Sequence, residues 1–107
     1  MSRNIIYVSD ELPAISATLS DAAGVAINLT GITVKFGMRR AYDTANLFKN
    51  TAVVVSATLG TVRYDITSSD LTTAAPGTYW AQWELTRTSD SFVEHIDAGE
   101  FEIRVGL

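Results

Sequence analysis

Along residues 32–40, Ile32, Val34, Phe36 and Met38 alternate with Thr33, Lys35, Gly37 and Arg39. A period of two marks a strand with one buried face, because successive strand side chains point to opposite sides. The same alternation runs through residues 14–21, where Ile15, Ala17 and Leu19 are interleaved with Ser16, Thr18 and Ser20. Pro13 opens that segment, where its missing N–H does least harm to a ladder. Residues 4–8, Asn-Ile-Ile-Tyr-Val, are β-branched and aromatic and predict a first strand.

Between the apolar runs lie turn residues. Asp21-Ala22-Ala23-Gly24 predicts a turn and Gly31 a bend. Residues 41–50 lack strand periodicity and predict an inter-strand loop with room for a helical turn. Residues 51–60 and 61–67 predict two strands joined as a hairpin through Gly60. The small, polar stretch 68–77 predicts a crossing loop, with Ser69 or Asp70 capping one turn of helix. Strands follow at 78–87 and 92–96. After a break at Asp97-Ala98-Gly99, a closing strand alternates Phe101, Ile103 and Val105. About eight short strands at this spacing predict an all-β, antiparallel β-sandwich, immunoglobulin-like in size, with residues 1–107 forming one domain.

Residues 77–85, Gly-Thr-Tyr-Trp-Ala-Gln-Trp-Glu-Leu, hold two tryptophans three apart, so one strand cannot bury both on one face. Tyr79, Ala81, Trp83 and Leu85 form an apolar set, whereas Trp80 shares its face with Gln82, Glu84 and Thr86. Trp83 is therefore expected in the core and Trp80 on the outside. An outward tryptophan either packs across strands or anchors contact with another subunit.

Composition narrows the classes. Hydrophobic residues make up 47% and charged residues 19%, which is ordinary for a packed domain and argues against disorder. The net charge of −4 offers no basic footprint for nucleic acid; the densest cations, Arg39 and Arg40 with Lys35 and Lys49, read as a solvated strand end. No cysteine is present, so disulfides and thiolate metal sites are excluded and packing alone must hold the fold. Residues 1–13 show no secretion signal, and no run approaches the 18 or so apolar residues of a membrane helix, so neither secretion nor a membrane partner is expected. Assembly in the cytoplasm is the natural fit.

Catalytic equipment is thin, and no enzyme activity, cofactor or metal is expected. The one histidine, His95, has Ser89, Ser91, Asp90 and Asp97 nearby in sequence, but neighbours on one hairpin do not build a nucleophile, an oriented base and an oxyanion hole. Glu100 and Glu102 share the outward side of the last strand. Asp10, Glu11, Asp21 and Asp43 lack the dense oxygen spacing of a calcium loop, and the seven glycines are scattered at turns rather than gathered around a phosphate.

Asp70, Gly77 and Tyr79 resemble the tyrosine corner of immunoglobulin-type sandwiches, in which a tyrosine near the start of a strand bonds back to the preceding loop. From end to end, the chain resembles a family of small immunoglobulin-like domains of tailed bacteriophages, typified by the N-terminal domain of baseplate upper proteins. The segments that carry the resemblance are LSDAAGVAINLTGITVKFGMR (19–39), GTVRYDIT (60–67), PGTYWAQWELT (76–86) and GEFEIRV (99–105).

The resemblance implies a non-enzymatic structural protein of the virion, a tail or baseplate component, partnered by other virion structural proteins and repeated as a homo-oligomer or symmetric array. Candidate contacts are the first strand, Ile5, Ile6, Tyr7 and Val8, which could extend a neighbour's sheet, and Trp80. Such domains are usually followed by a linker and a receptor-binding or coiled-coil region, whereas this chain stops at Leu107. A stand-alone copy leaves open a capsid decoration protein, or a module binding a host-surface glycan or protein through loop aromatics such as Tyr42, Phe48 and Phe92.

Overall fold

The computed structural model describes residues 4–7, 14–40, 46–67, 70 and 76–104. They form eight strands: β1 (Asn4–Tyr7), β2 (Ala14–Thr18), β3 (Ile32–Arg40), β4 (Phe48–Thr51), β5 (Val53–Ser56), β6 (Thr61–Asp65), β7 (Gly77–Arg87) and β8 (Val93–Arg104). One sheet has the order β1-β8-β7-β3-β4 and the other β2-β6-β5. Only Ala52 separates β4 from β5, and there the chain leaves the first sheet for the second. Counted as extended segments, the eight strands are therefore seven.

The pairing is antiparallel except at one edge, where β1 joins β8 in parallel with Asn4 opposite Phe101 and Tyr7 opposite Arg104. The antiparallel β-sandwich expected from the sequence is the fold observed, with this one parallel pair at its edge. A correction concerns residues 41–50, expected as a loop: Phe48–Thr51 is the strand β4, paired with Lys35–Met38 of β3. The hairpin expected at Gly60 joins β5 to β6. Gly60 has φ of +68°, and a Cβ there would stand 2.7 Å from the Ile27 carbonyl oxygen and 2.8 Å from that of Leu19, so only glycine fits this crossing.

The core lies between the sheets. Phe36 is its hub, with ring centroids of Trp83 at 4.8 Å, Tyr64 at 5.3 Å, Phe48 at 6.0 Å and Phe101 at 6.4 Å. Tilted and offset arrangements at these separations suit the quadrupoles of aromatic rings. Phe48, a candidate contact residue in the sequence, is only 8% exposed and stacks on Tyr64 at 5.7 Å. It belongs to the core and has little surface to offer a partner.

A polar network closes one end of this core. Asp70, 8% exposed, accepts the Tyr64 hydroxyl at 2.6 Å, the Asn50 amide at 2.8 Å and the Thr67 N–H at 3.0 Å. Asn50 also donates to the Tyr64 hydroxyl oxygen at 2.9 Å. Burial, reinforced by the Asp70 carboxylate, pushes the Tyr64 phenol up to about 12. One acidic side chain thus ties β4, β6 and the following loop together.

Candidate functional site

The outward face of the five-stranded sheet gathers the polar side chains. Its rows follow from the register: Arg39, Trp80 and Glu100 lie across β3, β7 and β8; the next row is Lys49, Gly37, Gln82 and Asp97; then come Thr51, Lys35, Glu84 and His95. A β-bulge makes this arrangement possible. Ala81 pairs with Gly99 and Gln82 with Asp97, leaving Ala98 as the extra residue. Strict alternation back from Phe101 would turn His95 and Asp97 inward. The bulge shifts the parity, so that Ile96 packs against the core and His95 and Asp97 join the outer face. The break expected at 97–99 is this bulge within one continuous strand.

The two tryptophans fall on opposite sides, Trp83 at 1% exposure in the core and Trp80 at 48% outside. Beside Trp80 is a cleft of about 290 Å³, lined among others by Gly37, Lys49, Gln82, Glu84, His95 and Asp97. Gly37 has no side chain to fill the middle of its row; a Cβ there would come to 3.4 Å from the Lys49 side chain. The walls are already bonded to one another. Gln82 Nε2 donates to Asp97 Oδ1 at 3.1 Å, His95 Nε2 lies 3.2 Å from Glu84 Oε2, and Lys49 pairs with the same Glu84 oxygen. The Lys49 ammonium, with His95 adding to it, holds the Glu84 carboxyl below the usual carboxylate range despite partial burial.

The remaining candidates are dispersed. His95 turns to Glu84, Asp97 to Gln82, and Asp90 to Arg87 and the Phe92 N–H, so no serine-histidine-aspartate grouping assembles from this hairpin. Glu102 pairs with Arg104 on the same strand. Asp70, read as part of a tyrosine corner, serves Tyr64 and Asn50 instead. Gly77 and Tyr79 lie against Arg40. The guanidinium donates to the Pro76 carbonyl at 3.2 Å and stands 5.5 Å from the Tyr79 ring centre. A Cβ on Gly77, whose φ is +150°, would meet it at 2.8 Å. Residues 71–75, to which a corner bond would run, lie outside the described residues, as do Tyr42 and Val8. Ile5, Ile6 and Tyr7 sit on the edge strand β1, in register with Glu102, Ile103 and Arg104.

The Gly37 hollow and the bulge-built face were not anticipated. A glycine at an outward position of an otherwise regular central strand was the signal available for the hollow. Among the described residues no group of three or more acidic, histidine or cysteine side chains could hold a metal ion, and no helix is long and apolar enough to cross a membrane.

Strand order and core define a two-sheet β-sandwich domain with a polar outer face on its larger sheet. The chain belongs to the family of BppU N-terminal domains, whose model matches residues 5–105. Among solved structures, it is similar to the N-terminal domain of phage TP901-1 ORF48, with a TM-score of 0.67 and 17% identity over 97% of this chain and 84% of that one. No curated protein matches the chain. Family membership carries a structural role in the tail baseplate of a phage, and with it a place in the virion among other structural proteins.

Proposed function

We propose that this chain is a non-enzymatic subunit of a phage baseplate that joins its neighbours through the free edges of its two sheets, in a homo-oligomer or symmetric array assembled in the host cytoplasm. Family membership supports the baseplate, and one structural observation carries the mode of contact. Among the described residues, β1 closes one sheet and β5 the other with nothing paired on their outer sides. A sheet edge is a template for another strand, and natural monomers blunt such edges with charge or proline. Here β5 is Val-Val-Val-Ser, with Val53 and Val55 more than half exposed. On the same reading the sandwich is immunoglobulin-like: its five-stranded and three-stranded sheets enclose one core, and the chain switches sheets between β4 and β5.

Two variants test the edges in phage assembly. Deleting residues 1–8 is expected to abolish incorporation into tails. Replacing Val53 and Val55 together by lysine is expected to do so while leaving a cooperative melt, since both side chains already face solvent. Unimpaired incorporation of either folded variant removes that edge from the proposal.

A further inference from the structure

We propose that the cleft beside Trp80 is a binding site for a neutral saccharide, a property separate from the assembly role. A pyranose ring has a C–H face that stacks on an aromatic plane and a rim of hydroxyls, each both donor and acceptor. The cleft offers the complement of both. Trp80 supplies a half-exposed indole, and two residues further along the same face Gln82 is bonded to Asp97. That amide and carboxylate pair holds acceptor and donor atoms in fixed, planar geometry, the requirement for engaging adjacent hydroxyls without an ordering cost at binding. Gly37 leaves the room: a larger side chain in its row would project into the space between Lys49 and Gln82.

Charge selects among ligands. Arg39 and Lys49 are matched by Glu84 and Asp97 within the lining, so with His95 neutral its formal charges sum to zero and favour neither a phosphate nor a cation. Lys49, Glu84 and His95 satisfy one another, which turns the acidic wall into an oriented hydrogen-bonding surface rather than a charged one. A neutral, hydroxyl-rich molecule loses least by entering such a site. A protein partner seated on Trp80 is the competing occupant.

The test is titration of the full chain with fully N-acetylated chitohexaose, cellohexaose and maltohexaose up to about 10 mM, followed by two-dimensional NMR of backbone amides and the tryptophan indole N–H groups. Polygalacturonate serves as the anionic control. The expected result is saturable shifts at Trp80, Gln82 and Asp97 with at least one neutral oligomer. Affinity should fall about tenfold or more in Trp80→Ala and in Gly37→Val, and remain unchanged in Phe92→Ala, which removes an exposed aromatic on the 88–92 turn. Three outcomes overturn the proposal: no shift with any neutral oligomer, shifts that survive Trp80→Ala, or a response to polygalacturonate alone. A baseplate protein that binds in a Trp80-dependent way while no sugar does would assign the cleft to assembly instead.

Discussion

Replacing Trp83 by alanine is expected to destabilise the domain by about 3–5 kcal/mol, whereas the same change at Trp80 should cost under about 1 kcal/mol. Both residues are tryptophans of one strand, three positions apart. Trp83 is almost wholly enclosed and lies 4.8 Å from the hub ring Phe36, so truncation removes apolar burial and leaves a cavity that the surrounding rings cannot close. Trp80 is 48% exposed and has no such enclosure. In thermal melts the Trp83 variant should lose about 15–30 °C, at the size-dependent rate for a domain of this length. Because that loss approaches the total stability of many domains, Trp83→Phe provides a milder version that should still melt well below Trp80→Ala. Equal effects at the two positions would mean that the strand's faces are assigned wrongly.

The second large effect is expected at Asp70. Its carboxylate receives three donors in a nearly closed setting, and hydrogen bonds to charged groups contribute about 1.5–3 kcal/mol each in favourable cases. Asp70→Ala leaves the Tyr64 hydroxyl and one Asn50 proton short of a partner, so a net cost of about 3 kcal/mol is expected in denaturant unfolding. Asp70→Asn keeps the shape and should fall between alanine and the parent. The network also sets an alkaline limit. Tyr64 ionises near 12 when folded against about 10 in the unfolded chain, so the folded state holds that proton more tightly. Its contribution is fully present below pH 10 and is lost as pH rises from about 10 to 12. Comparing melts of the parent and Tyr64→Phe across that range should show the parent losing more; parallel curves would contradict the assigned burial and bond.

Strands with many alternating positions were legible in the sequence. β3 occupies the 32–40 segment that alternation marked, and β7 buries the Tyr79, Ala81, Trp83 and Leu85 set while exposing Trp80. The Gly60 hairpin was legible because positive φ and a turn position coincide in one residue type. What escaped had no local signal. β4 is four residues long with a single apolar side chain, Phe48, so its alternation cannot be seen without β3 beside it. That is also why Phe48 read as a loop aromatic available for contact.

The outer face was hidden for a related reason. The bulged residue, Ala98, looks like any small residue near a glycine, yet it decides whether His95 and Asp97 face the core or meet Glu84 and Gln82. Asp70, Tyr64 and Asn50 come from three separate segments, so no pattern within one strand announces their bonds. Long-range pairing set both outcomes, and alternation within one strand does not encode its register against another.

The most direct measurement of the central claim is mass spectrometry of purified particles from the source phage after heads and tails have been separated. A baseplate subunit must be found with the tails, at a stoichiometry that is a multiple of the tail symmetry. Recovery only with heads, or from neither fraction, would contradict the account.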